Sequence, residues 1–432
     1  MRVRLDYGKH GLFADLPDAN LAGRVLTQTP APVLADPHAA LRAALADPIG
    51  ARPLVETARG RRDACIVVCD ITRPVPNRVL LPPILDALSH AGIGRNRVTI
   101  LVATGTHRPN DAAELEAMLG REIARTCRVV NHVCTDPAAH RSFGTTANGV
   151  PVFLDKTYCD ADVKITVGLI EPHFMAGYSG GRKLVMPGIA ALETVQAWHS
   201  PRFLEHPNAT MGVVDGNPVH EESLGITQMV PPDLIVDVTL DAQNQITGVF
   251  AGVLEAAWQA GVVFAASHVR APVSAPVDIV VTTCAGWPLD ATFYQAVKGM
   301  VGALPIVKPG GSIVIAAECS EGVGGDVFTR TLLETDDLFA LVDAMQQPDW
   351  TYRPDQWEVE ELAKAVRNNT VYCVCDPRAI PPETLARLFV TPAASVEQAV
   401  AAALTVHGPN AILAVIPKGP YVIPYVAVTA GR

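Results

Sequence analysis

Apolar residues along the chain gather in short runs rich in valine and isoleucine, each followed by turn-forming residues and then by a stretch with helical spacing. Such runs occur at residues 64–70 (ACIVVCD), 98–103 (VTILVA), 163–169 (VKITVGL), 278–283 (DIVVTT), 312–317 (SIVIAA) and 411–416 (AILAVI). Continuous rather than alternating apolarity marks parallel strands covered on both faces, so the pattern predicts an α/β protein with mainly parallel sheets. The helical stretch at 253–269 ends in the proline-bearing segment RAPVSAPVD, and strand–helix alternation restarts at Asp278. That break predicts two domains, residues 1–270 and 271–432. Residues 351–360 (TYRPDQWEVE) mix aromatic and charged side chains and are expected to form a loop before a helix at 361–367.

Composition narrows the function classes. Of 432 residues, 49% are hydrophobic and 18% charged, against roughly 25% charged in an average soluble chain. A large buried core follows, and general disorder is excluded. The net charge of −10, with no run of lysine or arginine, speaks against a nucleic-acid partner, because neutralising phosphates needs a basic face. No apolar run approaches the ~18–20 residues of a membrane span. The N-terminus lacks the apolar core of a secretory signal, so a cytoplasmic protein is expected. The nine cysteines form no CxxC pair, so neither a disulfide framework nor a thiolate metal site is expected.

In open α/β sheets, ligands bind at the carboxyl ends of strands, and four such positions are chemically loaded. Asp70, Thr72 and Arg73 follow the first run, although an Asp–Arg pair is most often a structural salt bridge. Thr104, Gly105, His107 and Arg108 follow the second, just before an expected helix start at Asn110. The segment from Glu171 to Lys183 (EPHFMAGYSGGRK) brings glycines, Ser179, Arg182 and Lys183 together. Exposed amides beside two cations would suit an anionic group such as a phosphate. It is not a Walker A loop, because Arg182 stands where the second glycine belongs and Leu184 follows Lys183. Tyr294, Gln295 and Lys298 share one face of a helix after the 278–283 strand. His107, His173 and His199 lie on separate segments with no metal signature joining them. They are compatible with a metal site, an acid/base pair, or both.

Taken together, DITRP at Asp70, GTHRP at Gly105, EPHFMAGYSGGRK at Glu171, WHSP at Trp198 and YQAVKGM at Tyr294 resemble the nickel-dependent lactate racemase family, in order and over nearly the whole chain. The resemblance implies two α/β domains with the active site in the cleft between them. It also implies a nickel-pincer nucleotide, a pyridinium mononucleotide with two sulfur arms that hold nickel, joined covalently to Lys183. His199 matches the family's metal ligand, and His107 and His173 match its acid/base histidines. Arg73, Tyr294, Gln295, Lys298 and Trp357 match substrate-holding residues, with Asp70, Thr104, Gly177, Ser179, Gly180 and Gly181 as supports around the cofactor.

The implied reaction is racemisation or epimerisation of a 2-hydroxy acid by reversible hydride transfer through a 2-keto acid, which avoids a carbanion beside a carboxylate. The implied partners are the small 2-hydroxy acid and, transiently, the enzymes that make the cofactor. Malate or a longer 2-hydroxy acid is an alternative substrate, and Met175, Arg202 and His206 are near enough in sequence to meet a longer group. An ATP-dependent phosphotransferase or a non-catalytic nucleotide-binding protein is the rival class.

Overall fold

The computed structural model describes residues 1–21, 23–347 and 349–427. A hairpin of β1 (Arg2–Leu5) and β2 (Leu12–Asp15) opens the chain. The first large sheet contains β3 (Ala64–Cys69), β4 (Val98–Ala103), β5 (Arg128–Asn131), β6 (Val163–Leu169), β7 (Leu234–Leu240) and β8 (Ile246–Gly252). Its spatial order is 8-7-6-3-4-5, and every pairing is parallel except the β7/β8 hairpin. The second sheet contains β9 (Val277–Thr283), β10 (Val307–Ala316), β11 (Thr370–Val374), β12 (Thr391–Pro392) and β13 (Leu413–Ile416). Its order is 12-11-10-9-13, parallel throughout.

Both sheets are apolar on both faces, as the runs predict. In β3, Cys65 and Val67 enter one core cluster, whereas Ile66 and Val68 enter another, and all four are fully buried. Successive side chains of a strand point to opposite faces, so a run with no polar gap needs cover on each.

The buried side chains of residues 1–21, with Val25, pack on the second sheet rather than the first. Val3, Leu5, Ala14 and Leu16 share a cluster with Val281, Val314 and Val396, and Val25 bridges to Val415. The chain therefore starts on one sheet, crosses to build the other, and returns near Arg270. The helix α1 (Leu254–Val269) precedes that return.

One prediction needs correction. The second half of the segment read as a loop at 351–360 is helical, because α3 spans Gln356–Arg367 and carries Trp357 on its first turn. Acidic side chains that pattern reading assigns to solvent are buried there: Glu358, Glu360 and Glu361 are at most 1% exposed. The Gln356 amide oxygen accepts from Trp350 Nε1 at 2.9 Å and from the Arg353 amide at 3.0 Å, fixing the start of the helix. The helix expected near Asn110 begins at Ala112, where Asp111 and Glu114 form a capping box. Among the described residues no helix is long and apolar enough to cross a membrane.

Candidate active site

Each sheet has one point where the strand order reverses, and a crevice opens there beyond the carboxyl ends. In the first sheet the chain leaves β3 toward β4 and later returns on its other side as β6, so the crevice lies between the loops after β3 and β6. In the second it lies between the loops after β9 and β13. The two crevices share one cavity of about 760 Å³, walled by Arg73, Glu171, His173, Gln295, Lys298 and Tyr421 among others.

The first wall is organised by hydrogen bonds. Asp70, buried at the end of β3, takes Thr72 Oγ1 on one oxygen at 2.7 Å and faces His107 Nδ1 with the other at 2.8 Å. Burial alone would raise Asp70, but His107, Thr72 and Arg73 together outweigh it and hold the carboxyl below its usual value. With Nδ1 donating to an anion, His107 presents Nε2 as its free lone pair. Thr104 serves the frame instead, since its hydroxyl donates to the His132 carbonyl at 2.7 Å. Arg73 Nε stands 3.7 Å from the Glu171 carboxylate.

His173 is arranged the other way round. Its Nδ1 accepts the Ala176 amide at 3.2 Å, so the neutral ring carries its hydrogen on Nε2. Burial, with the charges of Lys183, Arg73 and Lys298, holds it well below the ordinary histidine value.

The loop at 177–181 differs from the amide cradle expected of it. The Ser179 amide donates to the Glu171 carbonyl at 2.9 Å and the Gly181 amide to Asp237 Oδ2 at 2.7 Å. Ser179 Oγ donates to the Leu169 carbonyl at 2.7 Å. Gly177 has φ +75°, and a Cβ there would stand 2.2 Å from the Val213 carbonyl oxygen, so only glycine fits. The Ser179 and Gly181 amides are thus taken by acceptors outside the loop, Glu171 and Asp237, rather than offered to an anion.

Lys183 Nζ lies 5.3 Å from the centre of the Trp198 ring. Burial, then Arg182, Arg73 and Lys298, hold its amine well below the ordinary lysine value. His199 follows Trp198 at the end of a helix, with ring centroids 4.3 Å from Trp198 and 4.7 Å from Trp357. Its buried Nδ1 has no hydrogen-bond partner, and burial plus Lys183 push it down to about 3. Trp357 Nε1 donates to Tyr294 Oη at 2.9 Å, tying α3 to α2 (Phe293–Ala303). On α2, Lys298 Nζ donates to Gln295 Oε1.

The predicted residues thus fall into two joined groups. Arg73, His173, Gln295 and Lys298 line the cavity, and Lys183, His199, Trp357 and Tyr294 cluster behind it, linked through the field of Arg73 and Lys298 on Lys183. Among the described residues no set of three or more His, Cys, Asp or Glu side chains could hold a metal ion. The three histidines are therefore not a shared metal site. A metal at His199 would take its other ligands from a bound group, and a buried, unpartnered imidazole near a buried lysine amine fits such a group.

Sequence reading overlooked three acids. Glu171, quoted within its motif but given no role, faces Arg73 and Lys298. Asp237 sits fully buried in β7, and Glu358 is buried on α3 with neither carboxylate oxygen partnered. The aspartate inside the apolar run LIVDVTL was a readable signal for the second of these.

Two mainly parallel sheets meet at their reversal points over a cavity lined by Arg73, Lys298 and His173, the arrangement of an α/β protein with a candidate site between its sheets. Family models give the particular one: the lactate racemase N-terminal domain matches residues 7–212 and the lactate racemase C-terminal domain residues 273–424. The lactate racemase of Thermoanaerobacterium thermosaccharolyticum is 34% identical over 98% of both chains. That of Lactiplantibacillus plantarum is 35% identical over 96% of this chain and 98% of its own. The solved lactate racemase apoprotein from T. thermosaccharolyticum superposes with a TM-score of 0.92 at 33% identity, over 98% of this chain and 100% of its own. A Thermotoga maritima protein shares the fold, with a TM-score of 0.69 at 17% identity, covering 90% and 98%. The chain belongs to the lactate racemase family, a family of isomerases.

Proposed function

We propose that this chain racemises lactate or a closely related 2-hydroxy acid, using a nickel-pincer nucleotide held by Lys183 and His199. The observation that carries the reading is the meeting of His173 with Arg73 and Lys298 in the shared cavity, beside a strand end where Asp70 orients the oppositely set His107. Arg73 and Lys298 bind the substrate carboxylate through charge-assisted hydrogen bonds, and Gln295 steadies Lys298. Nε2 of His107, its ring oriented by Asp70, accepts the hydroxyl proton. His173 presents Nε2–H as a hydrogen-bond donor to substrate oxygen, and in its other tautomer, with the hydrogen on Nδ1 and the Ala176 amide released, its Nε2 serves as acceptor for the opposite enantiomer. Trp357 and Tyr294 close the site from the second domain and exclude water. Bound, the cofactor supplies a reversible hydride acceptor, so that the substrate passes through its planar 2-keto acid.

A phosphotransferase reading finds no support here, because the Ser179 and Gly181 amides are already taken by the Glu171 carbonyl and the Asp237 carboxylate. The test is cofactor-loaded protein given enantiopure 2-hydroxy acids, lactate, malate and longer homologues, with chiral analysis in D2O. Racemisation with little deuterium at the α-carbon is expected. Extensive solvent labelling would overturn the hydride route, and no racemisation of any acid would overturn the reading as a whole.

A further inference from the structure

Beneath the turn that presents Lys183 lies a buried polar layer that the proposed reaction does not use. Arg182, 1% exposed, places its guanidinium 4.3 Å from the centre of the Trp258 ring. Its Nη2 donates to the carbonyls of Ala176 at 2.8 Å and Tyr178 at 2.9 Å, while Nε and Nη1 have no partner. Trp258 Nε1 in turn donates to the Ser179 carbonyl at 2.8 Å. Asp237, in the middle of β7 and fully buried, accepts the Gly181 amide through Oδ2, and its Oδ1 is unpartnered.

The sheet makes room for this carboxylate at two places. A Cβ on Gly168, opposite it on β6, would stand 2.5 Å from Asp237 Oδ1. One on Gly180 would stand 2.9 Å from Oδ2. A carboxylate in an apolar strand costs stability unless it is fully paired, and this one is not. Burial accordingly pushes it up to about 7, with the Gly181 amide and Arg182 pulling against that shift. Among the described residues, the carboxylate's one hydrogen bond comes from the Gly181 amide, two residues before Lys183.

We propose that Asp237 is a positioning residue for Lys183: by holding the Gly181 amide it fixes the turn that aims the lysine amine at the cofactor's attachment point. The inference rests on the reading that Lys183 carries the cofactor. Because Asp237 lies behind the turn, it acts through Gly181 and touches neither substrate nor cofactor. An isosteric acceptor should replace it, and an isosteric apolar residue should not.

The experiment compares wild type, Asp237→Asn and Asp237→Leu, each made alongside the cofactor-synthesis enzymes. Adduct yield is read by intact-protein mass spectrometry, and hydrogen exchange of residues 176–184 is read in the apoproteins. Asp237→Asn keeps an oxygen for the Gly181 amide and should match wild type in both readouts. Asp237→Leu should lose about tenfold in adduct yield and exchange about tenfold faster in that segment, the scale of one buried hydrogen bond.

If Asp237→Leu does not fold, Gly168→Ala displaces the carboxylate without removing it and should give the same losses. A folded Leu or Ala variant with wild-type yield and wild-type exchange overturns the proposal. So does an Asn variant that fails as the Leu variant does. Wild-type protein without any adduct would instead overturn the tether, and the exchange contrast alone would then decide whether Asp237 holds the turn.

Discussion

The two walls of the cleft prepare their polar groups in opposite ways. On the first wall, Asp70 is tied on both oxygens, to Thr72 and His107, and its charge is favoured despite burial. On the second, Glu358 is buried on α3 with both oxygens unpartnered, and burial pushes it up against the attraction of Lys298. Lys298 itself is lowered by burial, with Glu358 and Glu171 opposing that shift and Arg73 adding to it. A group locked by hydrogen bonds holds one geometry, which proton transfer demands. A loosely compensated buried charge is costly by itself and gains most when an oppositely charged ligand arrives. On the proposed reading, the first wall supplies the proton transfer, and Lys298 on the second joins Arg73 in capturing the carboxylate.

That contrast is exposed most sharply by kinetics. His107→Ala and His173→Ala should each lower kcat by about 10²–10⁴-fold, the usual worth of a general acid or base, with KM little changed. Lys298→Ala on the second wall should instead raise KM about 10–100-fold, the scale of one charge-assisted hydrogen bond to a carboxylate. Steady-state racemisation followed by chiral chromatography checks both, and a kcat effect from Lys298→Ala equal to that of the histidines would erase the distinction between walls.

Smaller effects refine it. Asp70→Asn leaves His107 in place but removes the anion that orients it, so kcat should fall about tenfold. His173→Ala in that background should lose as much as it does in wild type, because its own partner is the Ala176 amide.

The smallest contrast is in stability against pH. Asp70 has a lowered folded value, so its contribution is present above the ordinary aspartate value and is lost as pH falls through the lowered one. Thermal unfolding of Asp70→Asn should trail wild type at neutral pH and converge with it in acid. Glu358 has a raised folded value, so the folded state binds the extra proton and stability is lost as pH rises past the ordinary glutamate value. Glu358→Gln should match wild type near pH 4 and exceed it above neutrality. Parallel curves for the two variants would mean that both acids sit in the same kind of environment.

Much of the site was legible because its residues follow strands whose apolar runs are unmistakable. Arg73, His107 and His173 stand directly after β3, β4 and β6, where an open sheet must place its ligands. Trp357 was legible as a residue and misplaced as structure, because three buried glutamates around it hid the helix from any reading of hydrophobic pattern. The glycines of 177–181 were read as ligand-facing amides, whereas Glu171 and Asp237, distant in sequence, take those donors. Nothing in residues 1–21 announced that their buried side chains pack on the second sheet.

By itself, the sequence determined the α/β class and the main parallel strands, which follow from local periodicity, and the order of the motifs, whose resemblance to one family singled out the candidate side chains. Only the tertiary structure decided which nitrogen of each histidine is free, that Lys183 is crowded by Arg182, Arg73 and Lys298, and that Glu358 and Asp237 are buried at all. Hydrogen-bond partners and desolvation come from segments tens to hundreds of residues away. They exist only once the two sheets have brought their carboxyl ends together.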